Sequence, residues 1–197
     1  VFEIPTPLAN RFLHLQVEPD FESFKTYALG QGIHEQIIAC LCFRPSLLHK
    51  VDPQQPAWYS LRSWMMASTL HDRGLDLAPA IGAATSAEFQ AFTTMYHMLP
   101  DFTPMLEGKG SHILFPVEPS ARYATAIGLT VHATDANAYH AFQWLSQAAT
   151  VEWVQLFVSD LLGLMRSRGQ LGIFATLIAK DPSIQKFIQD YHQLIAA

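Results

Sequence analysis

Charge is scarce in this chain. Asp, Glu, Lys and Arg make up 15% of 197 residues, against about a quarter in an ordinary globular domain, while hydrophobic residues reach 50%. That balance excludes a disordered chain and leaves apolar surface that expects a partner. Basic residues are the scarcer sign, Lys+Arg 12 against Asp+Glu 17, giving a net charge of −5 and a pI of about 5.9. A chain so balanced has no general attraction for phosphate backbones, and no nucleic acid is expected as a ligand. Cysteine is nearly absent. Cys40 and Cys42 are two apart on an expected helix, point to different faces and form no local bridge. With no disulfide framework and no signal-like start, a reducing, cytoplasmic setting is expected. No uninterrupted apolar run approaches the ~18 residues of a membrane helix, so no membrane span is expected. The first residue is Val1 rather than Met, and the chain is expected to be a fragment, a processed product or the end of a longer one.

Several chemical motifs are missing as well. There is no GxxxxGK[ST] phosphate loop and no GxGxxG; Gly108-Lys109-Gly110 and Gly169-Gln170-Leu171-Gly172 read as ordinary loops. Nine His residues include no HExxH and no pair spaced i,i+3 or i,i+4, so no metal site is expected. No GxSxG elbow occurs, and Ser60, Ser86 and Ser120 sit where helix caps are wanted. Trp58, Trp64, Trp144 and Trp153 read as core anchors, as do Met65, Met66, Met95 and Met98 at helical spacing.

What is present is almost all helical. One strand is expected at the start, where Leu13, Leu15 and Val17 alternate after the rigid Pro5-Thr6-Pro7 approach. A single strand can neither bury its own face nor pair its own backbone. Asp20 then caps a helix to about Leu29, and Gly30 and Gly32 end it. Further helices are expected over His34 to Phe43, Leu61 to Asp72 with Ser60 as cap, and Leu77 to Ala84. Thr85 with Glu88 reads as a capping box opening a helix to about Met98. The stretch Pro100 to Pro116 reads as an irregular connection. Helices follow over Ser120–His132, Asp135–Gln147, Val151–Leu164 and Gly172–Ala179, with a last one capped by Asp181 and begun by Pro182.

Two arginines stand out by position. Arg11 lies between the Pro-containing turn and the strand, where a guanidinium can be presented at a surface. Arg62 lies in the first turn of a capped helix, where the positive end of the dipole disfavours a cation unless an anion is near.

The order of these pieces resembles the MoxR-like group of AAA+ ATPases. The resemblance is carried by Pro5-Thr6-Pro7-Leu8-Ala9-Asn10-Arg11-Phe12, the strand, and Glu18-Pro19-Asp20-Phe21-Glu22-Ser23-Phe24. It continues through Gly32-Ile33-His34, Phe43-Arg44-Pro45-Ser46-Leu47-Leu48 and Ser60-Leu61-Arg62-Ser63-Trp64. It is clear over roughly the first 75 residues and fainter beyond. The family's usual Ser-Pro-Arg reads Ser60-Leu61-Arg62 here. The resemblance implies a mainly α fold: one N-terminal β-strand, the orphaned edge of an AAA+ core sheet, then a helical lid and a further helical region. It divides the chain into the end of the core (1–18), the lid (19–75) and a C-terminal helical region (76–197) with a possible internal break near 100–118.

It further implies that Arg11 is an arginine finger acting in trans, with Asn10 beside it in the interface, and that Arg62 is the sensor 2 arginine that meets the nucleotide. Walker A, Walker B and sensor 1 would lie in an upstream nucleotide-binding domain. ATP and Mg²⁺ are therefore expected in the full-length parent, neither is expected to bind this chain tightly, and this chain alone should not hydrolyse ATP. The parent is expected to form a homo-oligomeric ring that remodels or matures partner proteins, often with a von Willebrand A-domain protein. The alternative is a free-standing helical protein-interaction module without nucleotide chemistry.

Overall fold

The computed structural model describes residues 10–15, 17–96 and 98–170, together with positions 182, 185 and 189. The α-helices among them are α1 (Phe21–Gln31), α2 (Glu35–Phe43), α3 (Leu61–His71), α4 (Ala78–Ile81), α5 (Ala83–Tyr96), α6 (Thr103–Leu106), α7 (Pro119–His132), α8 (Ala138–Ala148) and α9 (Val151–Ser167). Short 3₁₀ turns occupy Pro45–Leu47 and Gly110–His112. The chain is thus mainly helical, and no strand is present among the described residues. Leu13, Leu15 and Val17 are irregular backbone with exposed side chains. The Pro5–Pro7 approach, the helix expected over Gly172–Ala179 and the Asp181 cap lie outside the described residues, while Pro182, Gln185 and Gln189 are helical. No helix among the described residues is long and apolar enough to cross a membrane.

The helix starts follow local chemistry. Asp20 accepts the Ser23 N–H at 2.7 Å and opens α1. Gly32, at φ +70°, closes it in the left-handed conformation that a side chain disfavours, and the Ile33 N–H returns to the Ala28 carbonyl at 3.0 Å. The His34 ring nitrogen then accepts the Gln36 N–H at 3.2 Å to begin α2, while the His34 N–H donates to Ser68 Oγ at 2.9 Å and ties this corner to α3.

Helix α2 is the centre of the packing. Ile37, Ile38, Ala39, Cys40, Leu41 and Cys42 are all buried, so it is apolar all round rather than on one stripe. It packs chiefly against α7, whose Ala121, Ala124, Ala126 and Gly128 allow close approach of neighbours. At Gly128 a Cβ would lie 2.3 Å from the Phe102 ring, so that ring occupies space any side chain would need. Thr125 and Thr130 on the same buried helix donate back to the Ala121 and Ala126 carbonyls at 2.8 and 2.9 Å, satisfying hydroxyls that have no water. Two hydrophobic cores result among the described residues. The first gathers α1–α5 with Ala124 and Ile127 of α7 and Leu164 of α9, and so runs past residue 75. The second gathers Met105, Leu129, Ala133, α8 and most of α9 around Phe157. Helices α7 and α9 contribute to both.

Several local expectations are corrected. The helix expected over Leu77–Ala84 breaks at Gly82 (φ +85°), and α5 begins at Ala83. Thr85 is therefore buried inside the first turn instead of capping it, and Glu88 pairs with Arg44 at 2.8 Å. Helix α8 begins at Ala138 rather than Asp135, because Asn137 Oδ1 accepts the Thr134 N–H at 2.6 Å and holds a turn there. Trp64 and Trp144 are core residues, but Trp58, Met66 and Met98 are exposed.

One buried ion pair joins the two ends of the bundle. Lys25 Nζ of α1 lies 2.9 Å from Asp160 Oδ1 of α9, with side-chain exposures of 4% and 6%, and 2.8 Å from the exposed Glu22. Asp160 Oδ2 is buried and has no hydrogen-bond partner among the described residues. Burial pushes the Asp160 carboxyl up to about 6, against the pull of Lys25. Burial would lower Lys25, but Asp160 and Glu22 outweigh it, and the ammonium is held above its ordinary range.

Candidate functional site

An open groove of about 590 Å³ lies where the N-terminal approach meets α1 and α3. Val17, Glu18 and Pro19 form one wall, Phe24 and Tyr27 of α1 the floor, and Leu61 and Met65 of α3 the far wall, with His49 at the side. The alternation of apolar residues on α1 explains the floor: Phe24 is buried in the first core, whereas Tyr27, three residues on, is 46% exposed.

The far wall is held rigidly. Ser60 and Ser63 form a reciprocal cap, with Ser63 N–H to Ser60 Oγ at 3.2 Å and Ser60 N–H to Ser63 Oγ at 2.7 Å. Ser63 Oγ also reaches the Trp58 carbonyl at 3.1 Å, and Trp64 Nε1 donates to the Leu47 carbonyl at 2.8 Å. Leu61 thus stands where a proline would pre-organise the turn, and the Ser60–Ser63 box performs the same fixing. Arg62 follows as the second helical residue. It is exposed and has no ion pair among the described residues. The N–H groups of a helix's first turn lack intrahelical acceptors, and Ser60 caps only that of Ser63. Arg62 therefore carries a guanidinium at the positive end of α3, one residue past the lining residue Leu61, while Glu18 and Asp20 put carboxylates in the groove lining itself.

Asn10 and Arg11 sit elsewhere. Both are exposed in a turn at the head of the described chain, and neither lines the groove. Between them and the groove, Phe12, Leu13, Leu15 and Val17 are 63%, 84%, 77% and 90% exposed. None of Arg62, Arg11 and Asn10 lines the groove; Arg62 follows the lining residue Leu61 in the chain, whereas Arg11 and Asn10 lie in the turn several residues before Val17. Reading the sequence did not find the groove itself, because its walls come from segments that only the α1–α3 packing brings together. Its signal was present in Tyr27, an aromatic residue beside a buried face.

A second polar cluster lies across the bundle. Glu35 accepts from Tyr96 Oη at 2.7 Å and pairs with His132 Nε2 at 2.9 Å. Burial alone would raise Glu35, but these partners outweigh it and hold it low, while the same contact raises His132. The cluster ties α2 to α5 and α7 and has no nucleophile among its members. Cys40 and Cys42 are free and buried, and burial pushes Cys40 up to about 12 and Cys42 in the same direction, so neither is a reactive thiolate. Among the described residues no three His, Cys, Asp or Glu side chains converge on a point that could hold a metal ion. Comparison with protein-family models, with curated proteins and with solved structures gives no match to this chain.

Proposed function

We propose that this chain is the lid and C-terminal helical part of a MoxR-like AAA+ ATPase, acting beside an α/β domain that holds the nucleotide. One observation carries the reading. The exposed apolar side chains of Phe12, Leu13, Leu15 and Val17 lead into a groove lined by Val17 and by Leu61, the chain neighbour of Arg62. Four large apolar side chains exposed within six residues mark a surface suited to being covered by another body. In this reading Leu13–Val17 is the last strand of that domain's sheet, and the groove wall closes against it.

The residues then divide the work by charge. Arg62, fixed by the Ser60–Ser63 cap, faces the nucleotide phosphates of its own subunit. Arg11, with Asn10 beside it, reaches the nucleotide of the next subunit in a ring. A positioned guanidinium stabilises charge on phosphoryl oxygens, and an in-trans finger is worth about 10³-fold or more in turnover. ATP with Mg²⁺, bound by the α/β domain, supplies the phosphoryl-transfer chemistry. No Mg²⁺ ligands are assigned to this chain, which alone binds neither tightly and does not hydrolyse ATP. The ring remodels or matures partner proteins, with a von Willebrand A-domain protein as one partner, and this last step rests on family resemblance alone.

ATP turnover by the chain joined to its α/β domain tests the reading. Arg11→Ala should lower kcat by about 10³ with nucleotide affinity nearly unchanged. Arg62→Ala should lower turnover in the subunit that carries it, with no rescue of that subunit's own site by wild-type neighbours. Unchanged turnover in Arg11→Ala removes the finger. The exposed Phe12–Val17 run also favours a second reading, a free-standing interaction module. In that case the chain would dock a protein partner with no nucleotide domain attached.

A further inference from the structure

The start of α2 and the end of α7 meet at one polar contact. Glu35, the first residue of α2, places Oε2 2.9 Å from Nε2 of His132, the last residue of α7. Each group stands at the helix end whose dipole favours its charge, a carboxylate at an N-terminus and an imidazolium at a C-terminus. Glu35 is gripped from its other side as well, where Oε1 accepts from Tyr96 Oη of α5 at 2.7 Å. Its side chain is 16% exposed and that of His132 51%, so the carboxylate is fixed in the body while the imidazole stands at the water's edge. The contact also lies at the joint between the two cores. Tyr96 belongs to the first, whereas Phe102, whose ring centroid is 6.0 Å from that of His132, packs on the second.

A cavity of about 330 Å³ opens beside this contact, and further titratable groups face it from the neighbouring elements. His34 precedes Glu35, Asp72 closes α3 and Arg168 closes α9. His71 of α3 sets its ring 4.4 Å from that of His34 and its Nε2 2.8 Å from Gln36 Oε1. The end of α1 contributes Leu29, Gly32 and Ile33, none of which titrates. Asp135 follows His132 in the turn that Asn137 closes onto Thr134. Within the contact itself the roles are unequal. Burial, with the Glu35 carboxylate beside it, pushes the Tyr96 hydroxyl up, so it stays a donor. Burial would raise Glu35 too, but the bonds from His132 and Tyr96 outweigh it and keep the carboxylate ionised. His132 is the one member of the three whose charge changes near neutrality.

We propose that the Glu35–His132 contact is a pH-operated latch, which holds the end of α7 and the turn after it against α2 while the imidazole is protonated and lets them open when the proton leaves. A bond between two ionised partners is stronger than one that a neutral imidazole donates, so the proton sets how firmly the latch is shut. The bond to Glu35 raises His132 above its ordinary range, with burial working against it. The latch's contribution is therefore fully present below the unfolded value of about 6.5 and is lost as pH rises through the higher folded one. Glu35 is shifted the other way, so its share is present above its unfolded value of about 4.3 and is lost only in acid. The latch is shut between those two limits and opens on the alkaline side. Val131 and His132 line the cavity, so opening widens it. The device uses neither Arg62 nor Arg11 and stands apart from the nucleotide reading.

Histidine ring titration and amide exchange by NMR, on the 197-residue chain between pH 5.5 and 8.5, test it. The His132 ring should titrate above about 6.5, and Glu35→Gln, which keeps an acceptor for Tyr96 but removes the charge, should return it to that value or below. The amides that report opening are Ala133, bonded to the Leu129 carbonyl at 2.9 Å, and Thr134, bonded to Asn137 Oδ1 at 2.6 Å. Corrected for the intrinsic hydroxide dependence, their protection should fall about fivefold as His132 loses its proton. His132→Gln keeps a donor toward Glu35 but cannot titrate, and its protection should not change with pH. His132 is half-exposed, so that variant keeps the fold and its result is decisive. A His132 ring that titrates at or below about 6.5 in the unaltered chain would overturn the proposal. So would protection at Ala133 and Thr134 that is flat with pH, or a pH dependence that survives in His132→Gln and so belongs to His34, His71 or Asp160.

Discussion

Two apolar stretches of this chain have opposite fates. Helix α2 carries Ile37–Cys42, every one of them buried, with α7 as its main neighbour. In the run Phe12–Val17, which His14 and Gln16 interrupt, Phe12, Leu13, Leu15 and Val17 stand 63–90% exposed. At about 25 cal/mol per Å², water-exposed side chains of this size each forgo roughly 1.5–3 kcal/mol of burial. The difference teaches that the helical body closes around α2 without needing the N-terminal run. Apolar surface left outside a closed core is surface available to another body, and this is the basis of the lid reading.

The comparison is most easily broken from the inside, at the ion pair behind α2. Lys25→Met leaves the Asp160 carboxylate buried with neither oxygen paired by a cation, and should cost about 3–5 kcal/mol in urea unfolding. Replacing both partners by apolar residues should recover most of that loss. Leu41→Ala, at a fully buried position of α2, should cost about 3 kcal/mol, from lost burial plus a residual cavity.

A pH series sharpens the same point. The folded Asp160 carboxyl, raised by burial to about 6, keeps a proton that the unfolded chain has released above about 4. Its contribution is therefore fully present below about pH 4 and is lost as pH rises through about 6. Relative to Asp160→Asn, wild-type stability should fall by about 2–3 kcal/mol across that window and flatten above it. A difference that stays flat from pH 4 to 7 would mean that Lys25 holds the carboxylate ionised throughout. The smallest effect belongs outside the core. Leu15→Ala should change the stability of this chain by less than about 0.5 kcal/mol. A larger cost would show that the run is part of the fold after all.

The residues that punctuate the chain made much of the fold legible in advance. Asp20, Gly32 and Ser60 act through their own side chain or backbone within three or four residues, so their meaning is local. Thr85 and Glu88 have the spacing of a capping box, but Thr85 is buried inside the first turn of α5 and Glu88 crosses to Arg44. Local pattern cannot separate those uses. Lys25 and Asp160 lie far apart in the sequence, and only the packing of α1 on α9 makes them a buried pair. Of the candidate site, the position of Arg62 in a capped first turn was readable, whereas the groove beside it needed three-dimensional packing.

Amide hydrogen exchange across Leu13–Val17 tests the central claim most directly. The run should be compared in this chain alone and in the protein carrying the α/β domain upstream of it. Strand pairing with that domain predicts fast exchange in the chain alone and slowing by a factor of about 10³ or more in the longer protein. Equally fast exchange in both would mean that nothing covers the run, and the lid reading would fall.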